Sequence, residues 1–375
     1  MIKKAHLFML IMLLCSCGGS EPSVAPSVAP LAPIASNAYD YSEGSASTEV
    51  NADNAIVNSS IYTLPYVAPD GTVYGSVAQA KQSLNGGGDF VATTDTNARQ
   101  AWRQGWTGKN VKVGVADKFN SNGQVDVHGD WVALVVSSVA PEHTVAFRDV
   151  LSSTSFAGFL GDVNSANAYF ESNGYHIVNN SWGIERALRD ANGAYTGALD
   201  ATFDNLVAST VAAYDVASES AKQGLYVFAG GNGGQFCPTR RIENCSWTAA
   251  VQNKLRENGY DGASNIIFVG SLDDGTNNLA GYSYFAGNLA YDFIVTYDDL
   301  LGPSDAAGTS FAAARVSGAA AIVKQKFPNL SSGQIKQVLL QTADDLGAPG
   351  VDETFGYGKL NILNSLSPQG VVVPK

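Results

Sequence analysis

The sequence predicts an α/β fold in three layers, a mostly parallel central sheet with helices on both faces. Two observations carry that prediction. Short apolar runs rich in β-branched residues alternate along the chain with longer helical stretches, as expected of buried strands joined by helical crossovers. At 375 residues, 45% apolar and 15% charged, the chain is also long enough to bury a large core.

The elements follow in order. Val111-Lys-Val-Gly-Val115 reads as a strand, Trp131–Val136 as a helix and Thr144–Phe147 as a strand. Ile177-Val178 is a short apolar run leading into Asn179-Asn-Ser-Trp-Gly183. Residues 198–223 are Ala-rich and read as helix, followed by strands at Leu225–Ala229 and Ile266–Gly270. Phe311–Phe327 is an Ala-rich helix stopped by Pro328. Ser331 with Gln334 three positions on has the form of a capping box that opens another helix, to about Thr342. In sheets of this kind, chemistry gathers at the carboxyl ends of the strands.

The amino terminus carries an address. Lys3 and Lys4 precede the apolar run Leu7–Leu14, which is too short to span a bilayer, so residues 1–16 read as a signal peptide. Leu14-Cys-Ser-Cys17-Gly18 resembles a bacterial lipobox, which implies cleavage before Cys17 and a lipid anchor on its thiol. The plainer alternative is an ordinary signal peptide with two incidental cysteines. Gly18, where an Asp would retain the protein at the inner membrane, points by the lipobox pattern to the outer membrane of a Gram-negative cell, facing the periplasm or the surface. Residues 17–60 are rich in Ser, Pro and Ala, with the near-repeat Pro22-Ser-Val-Ala-Pro26-Ser-Val-Ala-Pro30, and read as a tether. Residues 61–368 read as one large domain.

Charge narrows the partners. Lys and Arg total 22 against 34 Asp and Glu, a net charge of −12 with no basic cluster, which argues against nucleic acid. A monomer is expected. Beyond Cys15 and Cys17 only Cys237 and Cys245 remain of 4 cysteines; an exported chain would let them pair as a brace on a loop. No histidine lies near them to suggest zinc, and no metal site is assigned. Asp273-Asp274-Gly275 and Asp298-Asp299 could supply oxygens to Ca²⁺, but lack the spacing of a known loop.

The chain has no HExxH, no phosphate-binding GxxxxGK[ST] and no GxSxG. What it has are polar residues where strands end and helices begin. Ser310 opens a long apolar helix, among unpaired N–H groups and at the positive end of the dipole, a setting suited to a nucleophile. Taken alone, such a serine is more often a helix cap. Of the 4 histidines, His6 falls in the leader; His143 and His176 sit at ordinary loop or strand-edge positions, and His128 starts a helix. Asp117 ends a strand, where a carboxylate can orient an imidazole, and Asn232 lies in the cluster Gly230-Gly-Asn-Gly-Gly234, where its amide can donate to a developing oxyanion.

In the order Asp, His, Asn, Ser, these segments resemble the subtilisin-like serine proteases, the subtilases or peptidase S8 family, over roughly residues 95–365. The segments are Gly108-Lys-Asn-Val-Lys-Val-Gly-Val-Ala-Asp117, His128-Gly129 with Val132-Ala133, Asn179–Gly183, Phe228–Asn232, Gly308-Thr-Ser-Phe-Ala-Ala-Ala-Arg-Val-Ser-Gly318 and Phe355-Gly-Tyr-Gly-Lys-Leu360. The resemblance implies a serine endopeptidase acting on polypeptides. Ser310 would be the nucleophile, His128 the base, Asp117 its orienter and Asn232 the oxyanion donor; Ser181, Trp182, Gly183 and Gly231 would flank the substrate. It also makes Ca²⁺ a candidate. The chain departs from the family at Lys118-Phe119, at Asp130-Trp131 and at Ala314, where a proline is usual. Those departures leave a second reading, a catalytically silent binding lipoprotein, and a third, a lipoprotein esterase.

Overall fold

The structure, a computed structural model, describes residues 66–67, 73–74, 97–119, 128–190, 193–213, 223–260, 265–273, 275–298 and 307–369. The leader, Cys17, the tether, Asp274 and Asp299 lie outside the described residues. Two short strands, β1 (Tyr66–Val67) and β2 (Val73–Tyr74), pair antiparallel. The body then alternates as predicted: α1 (Ala98–Arg103), β3 (Lys112–Asp117), α2 (His128–Val139), β4 (Thr144–Asp149), α3 (Phe156–Ser172) and β5 (Ile177–Asn180). A hairpin of β6 (Ala187–Arg189) and β7 (Tyr195–Leu199) leads into α4 (Phe203–Ala212), β8 (Leu225–Ala229), α5 (Ile242–Cys245), α6 (Trp247–Glu257) and β9 (Ile266–Leu272). The chain closes with β10 (Phe293–Tyr297), α7 (Thr309–Lys326), α8 (Ser332–Gln341) and α9 (Ile362–Leu366).

The main sheet has six strands in the order β10-β9-β8-β5-β3-β4, every pair parallel. β5 and β10 are buried along their whole lengths, including the polar Asn179, Asn180 and Thr296. One face packs against α2, α7 and α8, and the other against α3 and α6. Helix α7 is buried from Thr309 to Val323, so small and apolar residues surround its axis and it shows no amphipathic stripe. The Ser331–Gln334 capping box is present at α8. The 198–223 helix reading is corrected at its start, where Ala198 and Leu199 end the strand Tyr195–Leu199 that pairs back on Ala187–Arg189; Phe203–Ala212 is helical, and residues 214–222 lie outside the described residues.

Chain direction places the site. From β3 the chain moves outward to the edge strand β4, then returns across β3 to β5 and proceeds the other way through β8, β9 and β10. The order therefore reverses between β3 and β5, and a crevice opens at their carboxyl ends.

Gly114 on β3 sits beneath the Phe170 ring of α3, whose nearest carbon would lie 2.5 Å from an added Cβ. Gly114→Ala is expected to lower stability by about 1–3 kcal/mol through overpacking, measured by chemical denaturation. Gly161→Ala on α3, with nothing within 4 Å of its added methyl, is expected to leave stability unchanged or raise it.

Candidate active site

Four sequence-predicted residues converge on that crevice. Asp117 is the last residue of β3 and fully buried. One of its oxygens, Oδ1, accepts from the Lys118 N–H and from His128 Nδ1, each at 2.7 Å. His128 is the first residue of α2, and its side chain keeps 40% of its surface exposed toward the crevice. The start of α2 is pulled in by a bond from the Gly129 N–H to the Lys118 carbonyl at 3.1 Å. Only glycine permits this, since a Cβ at 129 would stand 2.5 Å from that carbonyl oxygen and 2.5 Å from the Phe119 ring. The His-Gly pair thus has a steric cause.

Burial works to lower the His128 pKa, but the Asp117 charge and hydrogen bond outweigh it, and the net shift is upward from 6.5. With Nδ1–H on Asp117, the neutral ring presents Nε2 as a base. Lys118 does not disturb this pair: its ammonium reaches Asp149, 3.6 Å away, on β4. The other histidines are placed for different work. His143 donates from Nδ1 to the Ala140 carbonyl at 2.7 Å, and burial pushes it down to about 4. His176 Nδ1 accepts from the Lys112 N–H at 3.3 Å.

Ser310 is the second residue of α7, so its N–H has no partner within the helix. Its hydroxyl donates to the Ser181 carbonyl at 3.0 Å, while the Ser181 hydroxyl donates back to the Ser310 carbonyl at 2.7 Å. The hydroxyl must leave that carbonyl to hand its proton to an imidazole; catalytic hydrogen bonds are often long or poorly aligned before substrate binds. The His128 and Phe311 rings, 5.8 Å apart at their centroids, bring the base onto the first turn of α7.

Asn232 follows β8. Its Oδ1 accepts from the Thr309 N–H at 2.9 Å and the Thr309 hydroxyl at 3.0 Å, which fixes the amide with Nδ2 as the outward donor. Gly308 leaves that nitrogen room, since a Cβ there would lie 3.3 Å from Nδ2. Of the four residues expected beside substrate, Gly183 is exposed with open space around its α-carbon and Gly231 is half-buried at φ 118°. Ser181 and Trp182 are buried, and Trp182 packs edge-on against Phe159 and Phe228 at 5.2 and 5.7 Å. The indole belongs to the core; only the backbone at 182 can meet a ligand.

Cys237 and Cys245 are joined as a disulfide with Cα atoms 6.1 Å apart. The Cys237 N–H donates to the Gly233 carbonyl at 3.0 Å, so the brace abuts the Asn232 loop. Among the described residues no group of three or more His, Cys, Asp or Glu is disposed to hold a metal ion; Asp274 and Asp299 of the two acidic pairs lie outside those residues. Asp298 instead binds the Tyr282 hydroxyl and the Gly308 N–H. Thr309 and Glu185 were not picked out as site residues from the sequence. Thr309 was visible as the neighbour of Ser310, whereas nothing near Glu185 announces its partners.

A hydroxyl at a helix start, an imidazole held by a buried carboxylate and an outward amide donor are the parts needed for acyl transfer. Residues 112–358 match the model of the subtilase family of peptidase S8, and the chain belongs to that family. It is 39% identical over 74 residues to an extracellular serine protease of Serratia marcescens, a stretch covering 20% of this chain and 7% of the relative. It is 38% identical over 90 residues to the autotransporter lipoprotein NalP of Neisseria meningitidis, covering 24% of this chain and 8% of the relative. The matched stretches thus span under a tenth of either relative. The crystal structure of MycP1 from Mycobacterium smegmatis superposes with a TM-score of 0.51 at 19% identity, over 78% of this chain and 89% of that one, a likeness of fold.

In an NMR titration, His128 is expected to gain its proton above pH 6.5 and His143 near 4. Gly129→Ala, by displacing His128 from Asp117, is expected to lower the first value and leave the second.

Proposed function

We propose that this chain is an exported, lipid-anchored serine endopeptidase. Ser310 attacks the peptide carbonyl; His128 takes its proton and later delivers it to the leaving amine. Asp117 holds the imidazole tautomer and balances the imidazolium. Asn232 Nδ2 and the Ser310 N–H receive the oxyanion. In this reading residues 61–368 are the catalytic domain, residues 17–60 tether it, and Cys17 carries the lipid at the outer membrane. The polypeptide enters extended between Gly183 and Gly231. The observation that supports this best is the 2.7 Å bond from His128 Nδ1 to the buried Asp117, at the switch point and beside the turn that carries Ser310.

A soluble form starting at Gly18 is expected to react with a fluorophosphonate probe and to digest denatured casein, with both lost in Ser310→Ala. Equal labelling of the two forms overturns the assignment; no labelling of either favours a silent binding protein, and ester cleavage without peptide cleavage an esterase. Asn232→Ala is expected to reduce kcat by about 10²- to 10³-fold, the size known for an oxyanion amide in this family. Because the base must be neutral, and its pKa is raised, kcat/KM is expected to fall as pH drops through an apparent value above 6.5.

A further inference from the structure

Every backbone N–H from Gly230 to Gly234 has an identifiable acceptor. Gly230 donates to the Val269 carbonyl at 2.8 Å, Gly231 to the Thr309 hydroxyl at 3.0 Å and Gly234 to the Tyr282 carbonyl at 2.7 Å. The two between them, Asn232 and Gly233, both donate to one atom, Oε1 of Glu185. Glu185 lies on the segment just after Gly183, and its side chain is 13% exposed. The same oxygen accepts the Tyr284 hydroxyl at 3.3 Å; Oε2 accepts from the Tyr195 hydroxyl and from Arg189 at 3.4 Å.

Both phenols are driven upward, first by burial and then by the Glu185 charge, so they remain protonated donors. The carboxylate is therefore satisfied by protein alone and is not a free anion awaiting a basic substrate. Gly231 makes room for it: at φ 118° a Cβ would meet the Tyr284 ring and lie 2.9 Å from Glu185 Oε1. One side chain from the substrate-flanking segment thus underpins the loop that carries the Asn232 amide.

We propose that Glu185 is a positioning residue for the oxyanion site, holding the Asn232–Gly233 backbone so that Asn232 Nδ2 stays aimed at the developing charge. This rests on the reading of Asn232 as oxyanion donor. Removing the carboxylate leaves two N–H groups without an acceptor, and the loop must move to find one.

The test compares Glu185→Ala and Glu185→Gln in the full chain, each checked for cooperative unfolding. Glu185→Ala is expected to lower kcat by about 10²-fold, the cost of a small misplacement of a catalytic group, with KM little changed. Glu185→Gln keeps an amide oxygen for the two N–H groups and is expected to restore most of that loss. On an Asn232→Ala background, Glu185→Ala is expected to cost almost nothing further, because it acts through that amide. Amide exchange at Asn232 and Gly233 is expected to speed up in Glu185→Ala while Val227 in β8 stays protected. An equal kcat loss on both backgrounds, or unchanged exchange at the two amides, overturns the proposal. Absence of Ser310-dependent turnover in the unsubstituted chain overturns the protease reading instead, and the exchange measurement still decides whether Glu185 holds the loop.

Discussion

A carboxylate buried without solvent at the end of a central strand is the constraint around which this molecule is arranged. Asp117 is fully buried, and among the described residues its Oδ1 alone has partners, the Lys118 N–H and His128 Nδ1. An ionised carboxylate in that position is costly unless strong donors meet it. The imidazole is thus a structural partner as well as a chemical one: the bond that compensates the buried charge also fixes the tautomer. Its consequences spread outward. α2 must begin within reach of the strand end, which requires the close approach at Gly129. The raised pKa of His128 adds stability that is fully present below pH 6.5 and is lost as pH rises through the folded-state value.

A second set of bonds locks helix α7, which carries Ser310, to the sheet. Ser317 donates to Asn179 Oδ1 at 3.0 Å, Asn179 Nδ2 donates to the Ser181 hydroxyl at 2.8 Å, and Ser181 and Ser310 exchange hydroxyl-to-carbonyl bonds. All four side chains are buried. A polar network of this kind is tolerated in a core because its members satisfy one another, and it then specifies one arrangement of helix on strand. The residues flanking β5 are therefore half scaffold: the Ser181 carbonyl that would run beside a substrate also holds the Ser310 hydroxyl at rest.

The parallel sheet and the positions of Asp117, His128, Asn232 and Ser310 were legible because each sits where an apolar run stops and a capping or glycine-rich segment starts. The Ala-rich helix reading failed at its first two residues, Ala198 and Leu199, which are drawn into the hairpin strand Tyr195–Leu199 by pairing with Ala187–Arg189. Trp182 is expected to flank the substrate as part of its strand; that its indole would be packed edge-on by Phe159 on α3 and Phe228 on β8, neighbours remote in sequence, has no local signal. Glu185 was invisible for the same reason: its bonds reach Asn232, Gly233 and Tyr284, 47, 48 and 99 positions away. Local pattern reports what a residue does to its own helix or strand, not which loop it supports.

The departures from the family pattern are absorbed by neighbours rather than by the reacting groups. Lys118 turns to Asp149, and Phe119 lies on Phe147 with ring centroids 5.3 Å apart, so this substituted pair packs onto β4 and leaves Asp117 its two donors. Trp131 packs against the main core. Ala314, where proline is usual, retains an N–H that a regular helix directs to the Ser310 carbonyl, the oxygen that also receives the Ser181 hydroxyl. The alanine therefore adds a donor behind Ser310 without entering the crevice. Its neighbour Arg315 is fully buried, and its charge favours the ionised form of Asp298 against the burial that pushes that carboxyl upward. Asp298 in turn accepts the Gly308 N–H, two residues before Ser310. At Lys118, Phe119, Trp131 and Ala314 the changed residues thus contact the elements around them rather than the crevice.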